Sequence, residues 1–172
     1  RTREHLLEVK ALLSDGSEAE FKSVSLDEFH NKCEGETLEA AIYKKVRSLL
    51  SNYDNQVEIK KEFPKKSVER RNTGYAVDIL TEAAPFTAGG DNFNFCKLIA
   101  GSEGTLAFLT EIKLNVVPLP PKETGLLCVH FNSIDESLRA NLIALKYKPS
   151  ASELIDHYIL ECTKDNIEQS KN

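Results

Sequence analysis

The segment Gly101-Ser102-Glu103-Gly104-Thr105-Leu106 constrains this chain more than any other. It follows a compact, mostly apolar run, Phe95-Cys96-Lys97-Leu98-Ile99-Ala100, and leads into Leu106 to Val117. That second run passes from near-continuous apolar character to alternation at Glu111, Lys113 and Asn115, which is a strand signal. Two glycines and a hydroxyl therefore stand where a buried segment stops and a strand begins. Glycine there permits either positive φ or close approach of a bulky group, because no Cβ intervenes. A phosphate is the usual partner of a Gly-rich turn, through unpaired backbone N–H groups. Glu103 opposes a second anion, no lysine follows, and no Gly-x-Gly-x-x-Gly is present. A neutral, flat or hydroxyl-bearing group fits better, met by peptide edges and by Leu106 and Phe108. On composition alone an ordinary loop entering a strand remains the alternative.

At 172 residues the chain has room for one domain, or one domain and part of another. Its 41% hydrophobic and 28% charged content is that of a globular chain with a real core. A net charge of −5 argues against a nucleic-acid surface. No apolar run approaches the roughly 18 residues of a membrane span, and no signal peptide is evident. The absence of methionine and the abrupt start in Arg1-Thr2-Arg3 suggest a piece of something longer. Cys33, Cys96, Cys128 and Cys162 are widely spaced, without metal-ligand spacing or a disulfide framework. They read as reduced, mostly buried thiols of a cytoplasmic protein.

Residues 6–13 alternate as a strand, Ser14-Asp15-Gly16 turns the chain, and Glu18 to Val24 returns as the hairpin partner. Ser25 caps a short helix through Cys33, with Glu28 as capping-box partner. Thr37 caps a longer one carrying Leu38, Ala41, Ile42, Val46, Leu49 and Leu50 on one face. Asn55 to Phe63 reads as a further helix ended by Pro64. The basic stretch from Lys60 to Arg71 is diluted by Glu62 and Glu69 and reads first as a solvated face. Thr81 to Asn94, with Pro85, Gly89 and Gly90, reads as an irregular surface excursion, and Asp91 as the cap of a short helix running into Gly101. Pro118, Pro120 and Pro121 mark a boundary. Beyond them Gly125 to Phe131 reads as a strand, and Ser133 with Glu136 caps a helix that Pro149 breaks. All four histidines read as surface residues, and no metal site is expected.

Two stretches carry a family resemblance. Leu98-Ile99-Ala100-Gly101-Ser102-Glu103-Gly104-Thr105-Leu106, continued by Thr110-Glu111 and Pro118-Leu119-Pro120, resembles the signature of FAD-linked oxidases of the vanillyl-alcohol oxidase type. Within that family it is similar to the branch of D-lactate, glycolate and D-2-hydroxyglutarate dehydrogenases. Ala107 departs from the usual glycine, as in long relatives fused to an iron–sulfur module. Arg70-Arg71-Asn72-Thr73-Gly74-Tyr75 resembles the family's second signature, although Ala76-Val77 replace its usual Asp-Leu, so no role of that Asp carries over. The resemblance covers residues 1–120 well and the remainder weakly.

The resemblance implies an α+β fold: a mixed or antiparallel sheet flanked by helices, forming the second lobe of a two-lobed FAD-binding domain over 1–120. Residues 121–172 would begin a ferredoxin-like α+β substrate cap, with Ser152 to Asp156 bringing in its second strand. FAD is the implied cofactor, held along Gly101, Ser102, Glu103, Gly104, Thr105, Leu106, Ala107, Phe108 and Leu109. Arg71, a planar cationic fork, is a candidate for a substrate carboxylate, and Tyr75 for substrate, for laying its ring near the flavin, or for closing a core. An iron–sulfur cluster would lie outside this segment. The implied reaction oxidises a small-molecule D-2-hydroxy acid by hydride transfer to flavin, with the other lobe, the rest of the cap and an unassigned electron acceptor as partners. No catalytic base is assigned, since it would come from the rest of the cap. Two alternatives stand: a non-catalytic binding module, and a flavoenzyme of the same fold doing UDP-sugar reduction or alkyl transfer.

Overall fold

The structure is a computed structural model and describes residues 2–68, 74–164 and 166. Two compact units divide the chain, one ending at Pro118 and the other starting at Leu119. The first is α+β. After a short helix α1 (Thr2–His5), strands β1 (Leu6–Leu12) and β2 (Glu18–Lys22) form the expected hairpin about the Asp15-Gly16 turn. Helices α2 (Leu26–Lys32), α3 (Leu38–Ser51), α4 (Tyr53–Glu62), α5 (Val77–Thr81) and α6 (Cys96–Ile99) follow, and β3 (Phe108–Leu114) closes the sheet. The sheet order is β2-β1-β3, antiparallel throughout, so the last strand in sequence lies beside the first.

The two faces of the sheet follow from its alternation. Glu8, Lys10, Glu20, Lys22, Glu111 and Lys113 share the outer face, paired as Lys10–Glu111 at 2.9 Å, Lys22–Glu20 at 2.6 Å and Lys113–Glu8 at 3.5 Å. Such exposed pairs contribute little individually but keep that face wet. Val9, Ala11, Ala19 and Phe21 face inward and are buried. On them sit Phe29 of α2, Tyr43 of α3, and Phe93 and Phe95. The rings meet edge to face, Phe93–Phe95 with centroids 4.8 Å apart at 90° and Tyr43–Phe95 at 4.8 Å and 81°. That is the geometry the ring quadrupole favours.

The caps on α2 and α3 form as expected: Ser25 and Glu28 complete a capping box, and Thr37 accepts from Ala40 N. Helix α4 starts earlier than Asn55, because the Asn52 side chain accepts from Asn55 N at 3.0 Å and admits Tyr53. The stretch from Thr81 to Asn94 is irregular, as expected, but lies only partly at the surface. It buries Ala83, Phe93 and Asn94, and Val24 N donates to Phe93 O at 2.9 Å. Its Pro and Gly residues locate turns, while its phenylalanines join the core. Asp91 does not cap α6: its carbonyl accepts from Ala84 N, and Asn94 Oδ1 takes Cys96 N at 2.8 Å instead.

The second unit holds α7 (Ile134–Ala144), a 3₁₀ turn over Leu145–Tyr147 and α8 (His157–Lys164). Ser133 Oγ accepts from Glu136 N at 3.2 Å, and Glu136 Oε2 accepts from Asn132 N at 3.1 Å. Residues 125–131 and 152–156 form no strand, contrary to expectation. Their ladder hydrogen bonds need a partner, and a lone extended segment has none. No described residue from 119 onward is buried.

Candidate functional site

The Gly-Ser-Glu-Gly loop leaves α6 and enters β3 through a run of left-handed backbone. Gly101, Glu103 and Gly104 have φ of 94°, 52° and 76°. A Cβ on Gly104 would meet nothing within 4 Å, so glycine serves the backbone angle there rather than a close protein neighbour. The turn is closed by Ser102 N donating to Ile99 O and Thr105 N to Ser102 O, each at 3.0 Å. Its base is tied to α1. The Arg3 guanidinium donates to Ala100 O from Nη2 at 2.9 Å and from Nε at 3.3 Å, and Lys97 Nζ donates to Arg3 O at 3.2 Å. Nothing in the spacing of the sequence signals this contribution of Arg3, which lies 97 residues from Ala100 along the chain.

The nine loop and strand candidates do not face one way. Ser102 is buried, and Ala107 and Leu109 pack on the core. Gly101, Glu103, Gly104, Thr105, Leu106 and Phe108 are exposed, Phe108 by 71% and Leu106 by 40%. Phe108 is registered opposite Leu12 and Leu109 opposite Ala11, so the pleat sends the two side chains to opposite faces. Arg71 lies outside the described residues, with Arg70, Asn72 and Thr73. Tyr75 is described, and the structure brings it to the loop: its hydroxyl lies 2.5 Å from Thr105 Oγ1. Tyr75, the last residue of one stretch singled out in the sequence, thus meets the other stretch in space, thirty residues apart in the chain.

What this surface can hold follows from its groups. Exposed Leu106 and Phe108 offer apolar contact, the loop offers peptide edges, and Tyr75 and Thr105 offer hydroxyls. That combination of groups suits a flat ring with a polar rim, as the flavin implied by the resemblance has, and the Glu103 carboxylate disfavours a phosphate at the same turn. Cys96 is not a nucleophile here. Its thiol is fully buried and donates to Phe21 O at 3.1 Å, and burial pushes its pKa up to about 11. Burial likewise raises Cys33, whereas Cys128 and Cys162 are exposed, so only half of the thiols are buried. Among the described residues no group of three or more His, Cys, Asp or Glu is placed to hold a metal, and no helix is long and apolar enough to cross a membrane.

Comparison with known proteins gives a class first: the curated relatives that match this chain are dehydrogenases. In particular, it is similar to the D-2-hydroxyglutarate dehydrogenases of Pantoea ananatis (27% identical over 167 residues), Pseudomonas putida (28% over 167) and Escherichia coli (28% over 172). Each alignment covers 97% of this chain and 15–16% of the relative. The chain therefore spans about a sixth of the length of the curated relatives it matches. No protein-family model matches it, and no solved structure matches it significantly.

Proposed function

We propose that this chain forms part of the flavin site of an FAD-dependent dehydrogenase acting on a D-2-hydroxy acid. Residues 1–120 serve as the second lobe of the FAD-binding domain, and 121–172 begin the substrate domain. The observation that carries the reading is the meeting of Tyr75 with the Gly101–Leu106 loop through the Tyr75–Thr105 hydrogen bond. Tyr75, from one stretch resembling a signature of a flavoenzyme family, comes together with the loop that resembles the other signature at an exposed, partly apolar surface. The dehydrogenase relatives support the same class, and their name favours D-2-hydroxyglutarate over D-lactate or glycolate.

In this reading Leu106 and Phe108 lie against the ring system, while Ser102, Ala107 and Leu109 hold the loop and strand to the core. FAD bound there supplies the acceptor for the two electrons leaving the hydroxyl carbon. Arg71 supplies the cation for the substrate carboxylate. The cradle for the FAD pyrophosphate and the base that takes the hydroxyl proton come from polypeptide beyond these residues. No observation favours UDP-sugar reduction, alkyl transfer or a purely binding role.

The test uses the polypeptide that carries this sequence in its gene. Purified, it should hold FAD and reduce an artificial dye with D-2-hydroxyglutarate but not with the L enantiomer. Absence of both flavin and dye reduction would refute the reading. Replacing Arg71 with alanine should cost on the order of 2–5 kcal/mol in kcat/KM, as for truncating one partner of a buried charge pair. Unchanged kinetics would remove Arg71 from the proposed site.

A further inference from the structure

The Thr105 hydroxyl is the middle of a short relay. It lies 2.5 Å from Ser102 O, and a carbonyl oxygen can only accept, so the single Thr105 proton is committed to that bond. The Tyr75 hydroxyl is 2.5 Å from the same Oγ1. With the threonine proton already spent, the direction of this second bond is fixed: Tyr75 donates and Thr105 accepts. A phenol has one proton. Tyr75, 43% exposed, therefore presents only acceptor lone pairs to whatever comes against the loop.

We infer that Thr105 is a positioning residue that sets Tyr75 as a hydrogen-bond acceptor for an N–H or O–H group of the bound ligand. The inference deepens the flavin reading and rests on it for the ligand, though not for the relay. It narrows the roles expected of Tyr75. A phenol without a free proton cannot donate to a carboxylate, so Tyr75 does not bind the substrate acid group. It selects instead a donor such as a ring imide N–H or a ribityl hydroxyl of FAD. The relay also explains the hydroxyl at position 105. Ser102 O accepts both Thr105 N and Thr105 Oγ1, which pins the loop in the left-handed turn made by Glu103 and Gly104.

Two measurements separate the relay from the ligand. In the flavin-free form of the polypeptide carrying this sequence, Tyr75→Phe, Thr105→Val and the double variant are compared by thermal unfolding. The relay predicts non-additive losses, the double variant melting near the worse single one, and Thr105→Ser melting near the parent. Additive losses, or no rescue by serine, would overturn it. In the polypeptide carrying this sequence, FAD affinity is then titrated by flavin fluorescence. Tyr75→Phe should weaken it about fivefold, the ratio corresponding to one hydrogen bond of about 1 kcal/mol. Thr105→Val should weaken it as well, and Thr105→Ser should restore it. If Thr105→Val left affinity unchanged or tightened it, the phenol would be donating to the ligand and the assigned polarity would be wrong. A parent that binds no FAD would overturn the ligand assignment together with the flavin reading, while the unfolding data would still judge the relay.

Discussion

At the scale of single residues, glycine serves two different ends in this chain. Gly104 is required by its backbone angle, with open space around the missing Cβ. Gly90 is required by proximity: a Cβ there would stand 2.3 Å from Glu82 O and 3.0 Å from Ala83 C and Ala84 N, all backbone atoms that cannot swing aside. Gly90→Ala should therefore destabilise the first unit by about 1–3 kcal/mol, the usual cost of overpacking. A lowered unfolding temperature checks this, and an unchanged one would mean that the 82–91 loop adjusts freely. Titration belongs to this scale too. Burial raises Cys96 to about 11 from an ordinary value of 9.0, and raises Cys33 and the Tyr43 phenol in the same direction. For each, the folded state resists losing a proton that the unfolded chain gives up. The stability they carry is complete below the unfolded pKa and is lost as pH rises through the folded one. The chain should thus lose stability from about pH 9 upward, and Cys96→Ala should flatten the decline between about pH 9 and 11. An identical alkaline slope in parent and variant would contradict it.

At the scale of elements, the caps are the most directly testable. Removing the Ser25 hydroxyl leaves Glu28 N without its partner at 3.3 Å. Ser25→Ala should cost about 1 kcal/mol, as for N-caps generally, measurable as a shift in denaturant midpoint at constant slope. A midpoint equal to the parent's would show that α2 is held by Phe29 alone. Such caps, the Asp15-Gly16 turn and the alternation of β3 were legible in the sequence because each is set by neighbours within a few residues. Other features depend on distant partners and were not. The cap expected at Asp91 does not form, and tertiary contact places another side chain before α6: Asn94 Nδ2 reaches Leu7 O at 3.3 Å while its Oδ1 accepts from Cys96 N at 2.8 Å. The segment 125–131 has strand composition, but a strand exists only with a partner. Ile112 and Leu114 of β3 pair with buried Val9 and Leu6 and yet are 53% and 51% exposed, so alternation marks the strand without fixing its burial.

At the scale of the whole molecule, the candidate site was half legible. Both stretches were found, but not their meeting, because no spacing rule relates Tyr75 to Thr105. The first unit supplies the scaffold: a charged outer sheet face, an aromatic core, and a loop pinned at Ala100 by Arg3 and at Ser102 by Thr105. The second unit exposes Leu126, Leu127 and Leu142 by 92%, 85% and 66%. The central claim is that the surface built by the 101–109 loop and Tyr75 faces FAD. Amide hydrogen exchange on the polypeptide that carries this sequence, with and without FAD, tests it most directly. Bound FAD should slow exchange at residues 101–109 and around Tyr75 and leave the outer sheet face at Glu20 and Lys22 unchanged. FAD bound with no change in exchange at 101–109 would contradict it.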